Sequence, residues 1–369
     1  MAHLVCSRCA QTFPLEYQHW RCTCGSMLDV VFTPAFDPAA VSGRKPTLWR
    51  YREALPVADD ASIVSFDEGL TPLVPVDFGG VSVLVKQDQL FSTGSYKDRG
   101  ATVLVSHLKA LGVQRIVEDS SGNAGCAIAA YCARAGIACT IYVPADTSPA
   151  KLSQLREYGA TLAKVPGSRD DTARAVLRAA EDTYYASHSW NPFFFQGTKT
   201  IAYEVCEQLG WRAPDSMVLP VGNGTLLLGA YIGFSELLQA GVISRLPKLI
   251  GVQAAACAPL YTAFQERREA HSPVMPGHTA AEGIAITDPI RGRQILQAVR
   301  DTGGCFVAVT EPEITASLTN MGRQGFYIEP TSAATTAGVS KYLASLAEQE
   351  LVVSVFTGHG LKTTGSMRL

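Results

Sequence analysis

Residues 116–144 have the sequence IVEDSSGNAGCAIAAYCARAGIACTIYVP. A short apolar run at 116–118 leads into a glycine-containing turn and an alanine-rich helical stretch from Ala124 to Ala135. A second apolar run, 140–143, ends at Pro144. A strand, a helix and another strand in this order form a right-handed crossover between parallel strands. This stretch therefore predicts an α/β fold with a parallel sheet.

The same alternation continues along the chain. A helix is predicted from about 150 to 158, and strand-like apolar runs follow at 217–221, 249–252, 306–309 and 351–356. Helix-length amphipathic segments separate these runs, which predicts a doubly wound α/β architecture.

The length of 369 residues favours two lobes and an appendage over one small core. We predict a zinc-ribbon-like N-terminal segment at residues 1–35 and a large lobe formed by 36–80 and 186–369. Residues 81–185 are predicted to form a small, mobile lobe.

Composition excludes several classes of protein. Hydrophobic residues make up 47% and charged residues 17% of the chain, with a formal net charge of -2. No basic run suits nucleic acid or an anionic membrane surface, and no apolar run reaches the roughly 20 residues of a membrane span. The segment from Met1 to Cys6 lacks the features of a signal peptide. Six of the ten cysteines are scattered through apolar segments, as in reduced cytosolic enzymes, so we expect a cytoplasmic protein.

The other four cysteines form two close pairs, Cys6 with Cys9 and Cys22 with Cys24. Four thiolates on two turns can coordinate one zinc ion. A segment this short cannot form a hydrophobic core of its own, so a bound metal would be needed to stabilise it. The first pair has the usual C-x-x-C spacing, whereas the second is tighter. A metal-free β appendage is the alternative, and a redox role is disfavoured because no βαβ unit surrounds the pairs.

Three turns offer chemistry at strand ends, where open α/β sheets bind ligands. STGSYKDRG at 92–100 places Lys97 at a helix start, whose positive dipole end favours the neutral amine that imine formation requires. DSSGNAG at 119–125 offers N–H groups to a carboxylate and the Asn123 amide to a phenolate oxygen. VGNGTL at 221–226 joins a strand to a helix through glycines and predicts a phosphate cradle.

Each turn alone also fits an ordinary loop, with Lys97 as a surface lysine beside Asp98 and Arg99. In sequence order, however, the three turns resemble the fold type II pyridoxal-phosphate enzymes, which include tryptophan synthase β subunits, threonine dehydratases, cysteine synthases and threonine synthases. Threonine synthases are the most similar. The matching stretches are the cysteine ribbon, 68–73, 93–100, 120–123, 191–192, 199–202, 329–330, 332–334 and 357–362.

This resemblance implies pyridoxal 5′-phosphate as the cofactor. Lys97 would form its Schiff base and later move the substrate Cα proton, and Asn123 would bond the cofactor 3′-oxygen. The Thr357 hydroxyl would meet the pyridine nitrogen, where it leaves the ring largely neutral and favours elimination and replacement over transamination. The cofactor phosphate would be held by Gly222, Asn223, Gly224 and Thr225.

The resemblance also implies a small amino-acid substrate and a homodimer. Ser121 and neighbouring backbone amides would grip the substrate carboxylate. The full set of predicted substrate contacts is Ser121, Gly122, Ala124, Phe194 and Glu282.

The best single prediction for the reaction is threonine synthase activity, which converts O-phosphohomoserine and water into threonine and phosphate. Two features favour another substrate. Threonine synthases usually carry an arginine after the Asn-Pro pair, but here Phe193, Phe194 and Phe195 follow it. Uncharged aromatic rings cannot pair with a phosphate dianion, so either the phenylalanines are core and another base such as Lys199 supplies the charge, or the substrate is less anionic. The segment 281–286 also resembles that of dehydratases and other lyases.

The alternatives therefore are a β-lyase, a dehydratase or a β-replacement enzyme on the same scaffold. A non-catalytic cofactor-binding protein is disfavoured because it has no chemical reason to keep Lys97, Asn123 and Thr357 together. A nicotinamide-dependent dehydrogenase is disfavoured because the chain lacks the G-x-G-x-x-G fingerprint with its downstream acid.

Overall fold

Three β-sheets form the framework of the protein. The computed structural model describes residues 2–167, 169–275 and 277–363. Its strands are β1 His3–Cys6, β2 Thr12–Phe13, β3 Leu28–Val31, β4 Leu73–Asp77, β5 Ser82–Lys86, β6 Arg115–Glu118, β7 Ala138–Pro144, β8 Thr161–Val165, β9 Tyr184–Tyr185, β10 Ser216–Pro220, β11 Lys248–Ala254, β12 Cys305–Val309 and β13 Val352–Val355.

From β5 onward one or two α-helices separate successive strands, and one further helix precedes β4. They are α1 Pro38–Ser42, α2 Lys97–Ala110, α3 Asn123–Ala135, α4 Pro149–Glu157, α5 Arg169–Ala179, α6 Pro192–Thr198, α7 Thr200–Gln208, α8 Thr225–Gln239, α9 Pro259–Gln265, α10 Gly292–Asp301, α11 Glu311–Arg323 and α12 Pro330–Ala344. A 3-10 turn spans Glu282–Ile284.

The large sheet has six strands in the order β12-β11-β10-β13-β5-β4. Its inner strands pair in parallel. Apolar side chains of α7, α8 and α10 cover one face, and those of α11 and α12 cover the other. Because both faces are covered by crossover helices, the predicted doubly wound α/β fold is confirmed.

The edge strand β4 departs from the predicted parallel pattern, because it pairs antiparallel with β5. The two strands form a hairpin across Gly79 and Gly80, which have φ values of +67° and +92°. Glycine adopts these left-handed conformations without steric cost, so the chain reverses within a short turn.

This hairpin also corrects a predicted boundary. The small lobe was expected to begin at residue 81, but β5 belongs to the large sheet. A tight hairpin forces β5 to lie beside its partner β4, so the small sheet begins only with β6.

The small sheet has four parallel strands in the order β8-β7-β6-β9. Its core is formed largely by α2, α3 and the inward side chains of β6 and β7. The predicted strand at 116–118 and helix at 124–135 lie within β6 and α3.

The N-terminal ribbon is an antiparallel three-stranded sheet in the order β2-β1-β3. Its side chains Leu4 and Leu28 are buried in the same apolar cluster as α2, α3 and part of α6. The ribbon is therefore packed onto the body of the protein.

Some of the predicted ranges extend past the described residues. Met1, at the start of the ribbon range, and residues 364–369, at the end of the large-lobe range, lie outside them. Among the residues that the structure describes, no helix combines the length and apolar character of a membrane span.

Candidate active site

Two loops meet at the carboxyl end of the large sheet. The loop before α2 is joined to the loop after β13 by a hydrogen bond from the Tyr96 N–H to the Thr357 carbonyl at 2.9 Å. A second bond of 2.9 Å runs from the His359 N–H to the Gly94 carbonyl. Ser95 and Gly358 form a β-bridge between them. The predicted residues Lys97 and Thr357 are thereby brought to one place.

Lys97 is the first residue of α2 and is partly buried. Its Nζ donates to the Thr225 hydroxyl at 3.1 Å and lies 4.8 Å from the centre of the Tyr96 ring. The Tyr96 hydroxyl shares the same Thr225 hydroxyl at 2.8 Å. These contacts direct the amine toward the predicted glycine loop.

Asp98 fixes the turn that precedes α2. Its buried carboxylate accepts hydrogen bonds from the backbone N–H and the hydroxyl of Thr93. Burial raises the pKa of Asp98 to about 7. These hydrogen bonds hold the loop in one conformation immediately before the helix that begins at Lys97.

Behind Lys97 lies a buried ion-pair network that the sequence did not predict. The Arg99 guanidinium donates to Asp88 at 2.7 Å and to Glu204 at 2.6 Å. The Lys86 ammonium lies 2.7 Å from the same Glu204 carboxylate. All four side chains are fully buried, so the charges compensate one another and fix the first turn of α2 against the large sheet.

The glycine loop 221–224 follows β10 and leads into the N-terminus of α8. Gly224 has a φ of +72°, and a Cβ atom there would lie 2.3 Å from the Ile295 side chain. A Cβ atom on Gly222 would lie 2.8 Å from the Gly283 carbonyl oxygen. Backbone therefore crowds Gly222, while Gly224 is favoured as glycine by its positive φ and by the Ile295 side chain. The first N–H groups of α8 have no intrahelical acceptors. Such a cradle fits a phosphate.

Glu329 is a site residue that the sequence interpretation missed. Its carboxylate accepts from the Asn123 amide and from the Thr357 hydroxyl, each at 2.8 Å. Gly358 permits this approach, since a Cβ atom there would lie 2.2 Å from a Glu329 oxygen. Burial raises the pKa of Glu329. The acid therefore connects two of the predicted cofactor contacts.

Ser332 completes this group at the start of α12. Its hydroxyl oxygen accepts from the Thr357 N–H at 2.8 Å and is 2.9 Å from the Thr357 hydroxyl. In the sequence, the Glu329-Pro330 pair before a helix was the available signal for this group. Such a local pattern does not reveal the contacts with Asn123 and Thr357, which lie far from it along the chain.

The predicted substrate residues fall into two groups. Ser121, Gly122 and Ala124 lie beside Asn123 at the turn into α3. Phe194 is fully buried and its ring centre lies 5.6 Å from the Lys97 Nζ. Glu282, by contrast, is 60% exposed and its carboxylate pairs with the Lys151 ammonium of α4 at 2.6 Å.

The three consecutive phenylalanines have different neighbours. Phe193 stacks on His107 with ring centres 3.4 Å apart, whereas Phe195 lies under the Arg291 guanidinium at 4.5 Å. Only Phe194 approaches Lys97. The hypothesis that Lys199 supplies a charge for a substrate phosphate is not supported, because Lys199 is fully buried and pairs with Glu236 at 2.8 Å.

The sequence of the chain is similar to a known protein family and to individual known proteins. The family model described as pyridoxal-phosphate dependent enzyme matches residues 64–358. The threonine synthase of Methanocaldococcus jannaschii is 36% identical over 97% of this chain and 92% of its own length. The threonine synthase of Mycobacterium tuberculosis is 36% identical over 85% of this chain and 87% of its own length.

Solved structures agree on the fold. Threonine deaminase isoform 2 from Solanum lycopersicum, in its processed form, superposes with a TM-score of 0.71 at 22% identity and covers 88% of this chain and 90% of its own. The O-acetylserine dependent cystathionine beta-synthase from Helicobacter pylori gives 0.68 at 21% identity, over 82% of this chain and 96% of its own. From the family match and the curated relatives together, the chain belongs to the pyridoxal-phosphate-dependent enzymes of fold type II, within the threonine synthase family.

Proposed function

We propose that this protein is a threonine synthase, which converts O-phosphohomoserine and water into threonine and phosphate. The main support for this reaction type is the position of Lys97. Its amine lies 3.1 Å from the Thr225 hydroxyl, next to the glycine loop 221–224 that forms the phosphate cradle. An amine beside a phosphate cradle is the arrangement that a Schiff base to an aldehyde phosphate requires. The substrate is supported by the curated threonine synthases, which match this chain along nearly its whole length.

The residues present fit the cofactor. Lys97 would bond it covalently, and Asn123 and Thr357 would contact its ring at the 3′-oxygen and the pyridine nitrogen. Its phosphate would be held by Gly222, Asn223, Gly224 and Thr225. When bound, pyridoxal phosphate withdraws electrons from the Cα of an attached amino acid.

The chain's own groups then determine what happens to the substrate. Lys97 is positioned to take and return a proton at Cα, since its amine lies 3.1 Å from the Thr225 hydroxyl at the cradle. The Thr357 hydroxyl, which donates to Glu329 in this structure, would donate to the ring nitrogen instead and so leave that nitrogen largely neutral. Ser121 and the N–H groups at the start of α3 would orient the substrate carboxylate. This set favours loss or exchange of a side-chain group over transamination.

One observation favours a second candidate. The wall beside Lys97 is the uncharged ring of Phe194, and Lys199 is paired elsewhere. A β-lyase, dehydratase or β-replacement enzyme acting on a less anionic amino acid would suit that wall better than a phosphorylated one.

Product analysis distinguishes the two. Purified holoenzyme is incubated with O-phosphohomoserine, and inorganic phosphate and threonine are measured, with Lys97→Ala as the inactive control. Equal release of both products supports threonine synthase. If neither forms, while serine, threonine or a β-substituted alanine yields a keto acid, the lyase assignment replaces it.

We also propose that the protein is cytoplasmic and forms a homodimer. The ten cysteines are all free, which supports a reducing compartment such as the cytoplasm. A homodimer is proposed by resemblance alone, and sedimentation of the holoenzyme tests it directly.

A further inference from the structure

The four ribbon cysteines converge, although they come from two separate turns. Their sulfur atoms all lie within 4.8 Å of one another. The Cys6 and Cys24 sulfurs are 3.5 Å apart, and those of Cys9 and Cys22 are 3.6 Å apart. Two of the four thiols are buried and two are exposed, so the cluster lies at the surface of the ribbon.

These spacings suit one metal ion better than two disulfides. A disulfide has an S–S distance of about 2.05 Å. Four sulfurs around zinc at about 2.3 Å form a tetrahedron with edges of about 3.8 Å. The backbone N–H groups of Arg8 and Cys9 approach the Cys6 sulfur at 3.4 and 3.5 Å, which stabilises negative charge on a thiolate ligand. Tetrahedral coordination by four thiolates is typical of structural zinc sites.

Besides its apolar contacts and a hydrogen bond from Gln294 to Asp29, the third strand of the ribbon is held by Arg291. The Arg291 guanidinium lies 2.6 Å from the Asp29 carboxylate and donates to the Leu28 carbonyl at 3.0 Å. It also donates to the carbonyls of Ser189 at 3.0 Å and Trp190 at 2.9 Å, immediately before α6. Arg291 therefore joins the ribbon to the segment that leads into α6, the helix that contains the three phenylalanines.

Arg291 is connected to the candidate active site through neighbouring residues. Its guanidinium lies over Phe195, which neighbours Phe194 beside Lys97. It immediately precedes α10, whose Ile295 fills the space next to Gly224 in the phosphate cradle. If the ribbon moved away, the buried Arg291 guanidinium would lose the Asp29 carboxylate as its partner.

We infer that Cys6, Cys9, Cys22 and Cys24 bind one zinc ion, and that this metal keeps Leu28 and Asp29 docked on Arg291. The ribbon is too small to hold its shape by apolar burial alone, so the metal supplies the missing cross-link. The inference does not depend on which amino acid the enzyme uses.

Metal analysis tests the binding step. Holoenzyme produced with zinc in the medium is expected to contain about one zinc per chain. The double variant Cys9→Ser/Cys24→Ser should lose it, and the matched variant Cys305→Ser, outside the ribbon, should keep it. Cobalt exchanged into the wild type should show thiolate charge-transfer and tetrahedral d–d absorption. Zinc-free protein with reactive ribbon thiols, or unchanged zinc in the double variant, would overturn the inference.

Limited proteolysis tests the docking step without using activity. Arg8 and Arg21 are exposed trypsin sites within the ribbon. Chelation of the wild type should increase cleavage at both sites by about tenfold or more, and zinc should restore protection, as expected for a segment whose local unfolding controls access. Arg291→Ala should cleave faster while it retains zinc. Cleavage that is the same with and without metal would contradict the docking role, and the chelated wild type replaces the double variant if that variant is insoluble.

Discussion

Lys97 and Thr225 are joined by a hydrogen bond of 3.1 Å between the amine and the hydroxyl. They are the first residues of α2 and α8, so the positive ends of two helix dipoles meet at one point. Such a junction repels cations and suits a multivalent anion. The position of the reactive amine and the affinity for a phosphate therefore arise from the same two helices.

The Thr225 hydroxyl should be needed for cofactor affinity. Thr225→Val removes the hydroxyl without changing the side-chain volume, so the cofactor phosphate loses a predicted hydrogen-bond donor. A lost hydrogen bond of about 1–1.5 kcal/mol corresponds to a five- to tenfold higher dissociation constant for pyridoxal phosphate. Thr225→Ser should restore affinity, and equal affinities in all three proteins would contradict this role.

Gly224→Ala should impair the cradle by more than backbone strain alone. The matched control is Gly303→Ala, because Gly303 also has a positive φ, +62°, but a Cβ atom there meets nothing within 4 Å. Both variants bear the left-handed cost of about 1–2 kcal/mol, whereas only the first collides with Ile295. Cofactor titration should show at least a tenfold loss for Gly224→Ala and little change for the control.

Glu329→Gln should reduce turnover, because an amide has a single oxygen: when that oxygen faces Asn123, the NH2 faces Thr357 and reverses the hydrogen bond that the Thr357 hydroxyl donates. The Thr357 hydroxyl is then directed differently, and a change of about 1–1.5 kcal/mol corresponds to roughly a five- to twelvefold fall in kcat/KM. The cofactor's visible spectrum should shift as well, since both partners are predicted to contact its ring. Glu348→Gln, at an exposed position, serves as control; matching spectra and rates in the two variants would remove Glu329 from the site.

Because of His107, the free energy of unfolding of the protein should decrease at acidic pH. Burial lowers the pKa of His107 to about 3, and no described residue partners its Nε2. The unfolded chain takes up a proton near the ordinary value of about 6.5 while the folded chain does not. Stability is therefore lost as pH falls from about 6.5 toward 3, by up to about 1.4 kcal/mol per pH unit.

The test is His107→Phe, which preserves an aromatic partner for Phe193. Chemical unfolding at pH 5 and pH 7 should show a smaller pH dependence in the variant than in the wild type. An unchanged difference between the two pH values would show that other groups dominate the acid response.

The sequence was most informative where chemistry is encoded in short local patterns. The glycines around Asn223 and the turn before Asn123 were recognisable because a cradle needs small residues at fixed offsets. β5 was assigned to the wrong lobe, since its partner is decided by a turn and not by its own apolar residues. Glu329 and the Arg99 network could not be found locally, because each depends on partners that only the folded sheets bring together.

The position of β13 sets the order in which this protein can become functional. β13 lies between β5 and β10 in the large sheet, yet it follows both of them in the chain. On the ribosome, the two parts of that sheet remain unjoined until this strand emerges, and Thr357 emerges immediately afterwards. The predicted contact of Thr357 with the cofactor can therefore form only after this strand has joined the two earlier parts of the sheet.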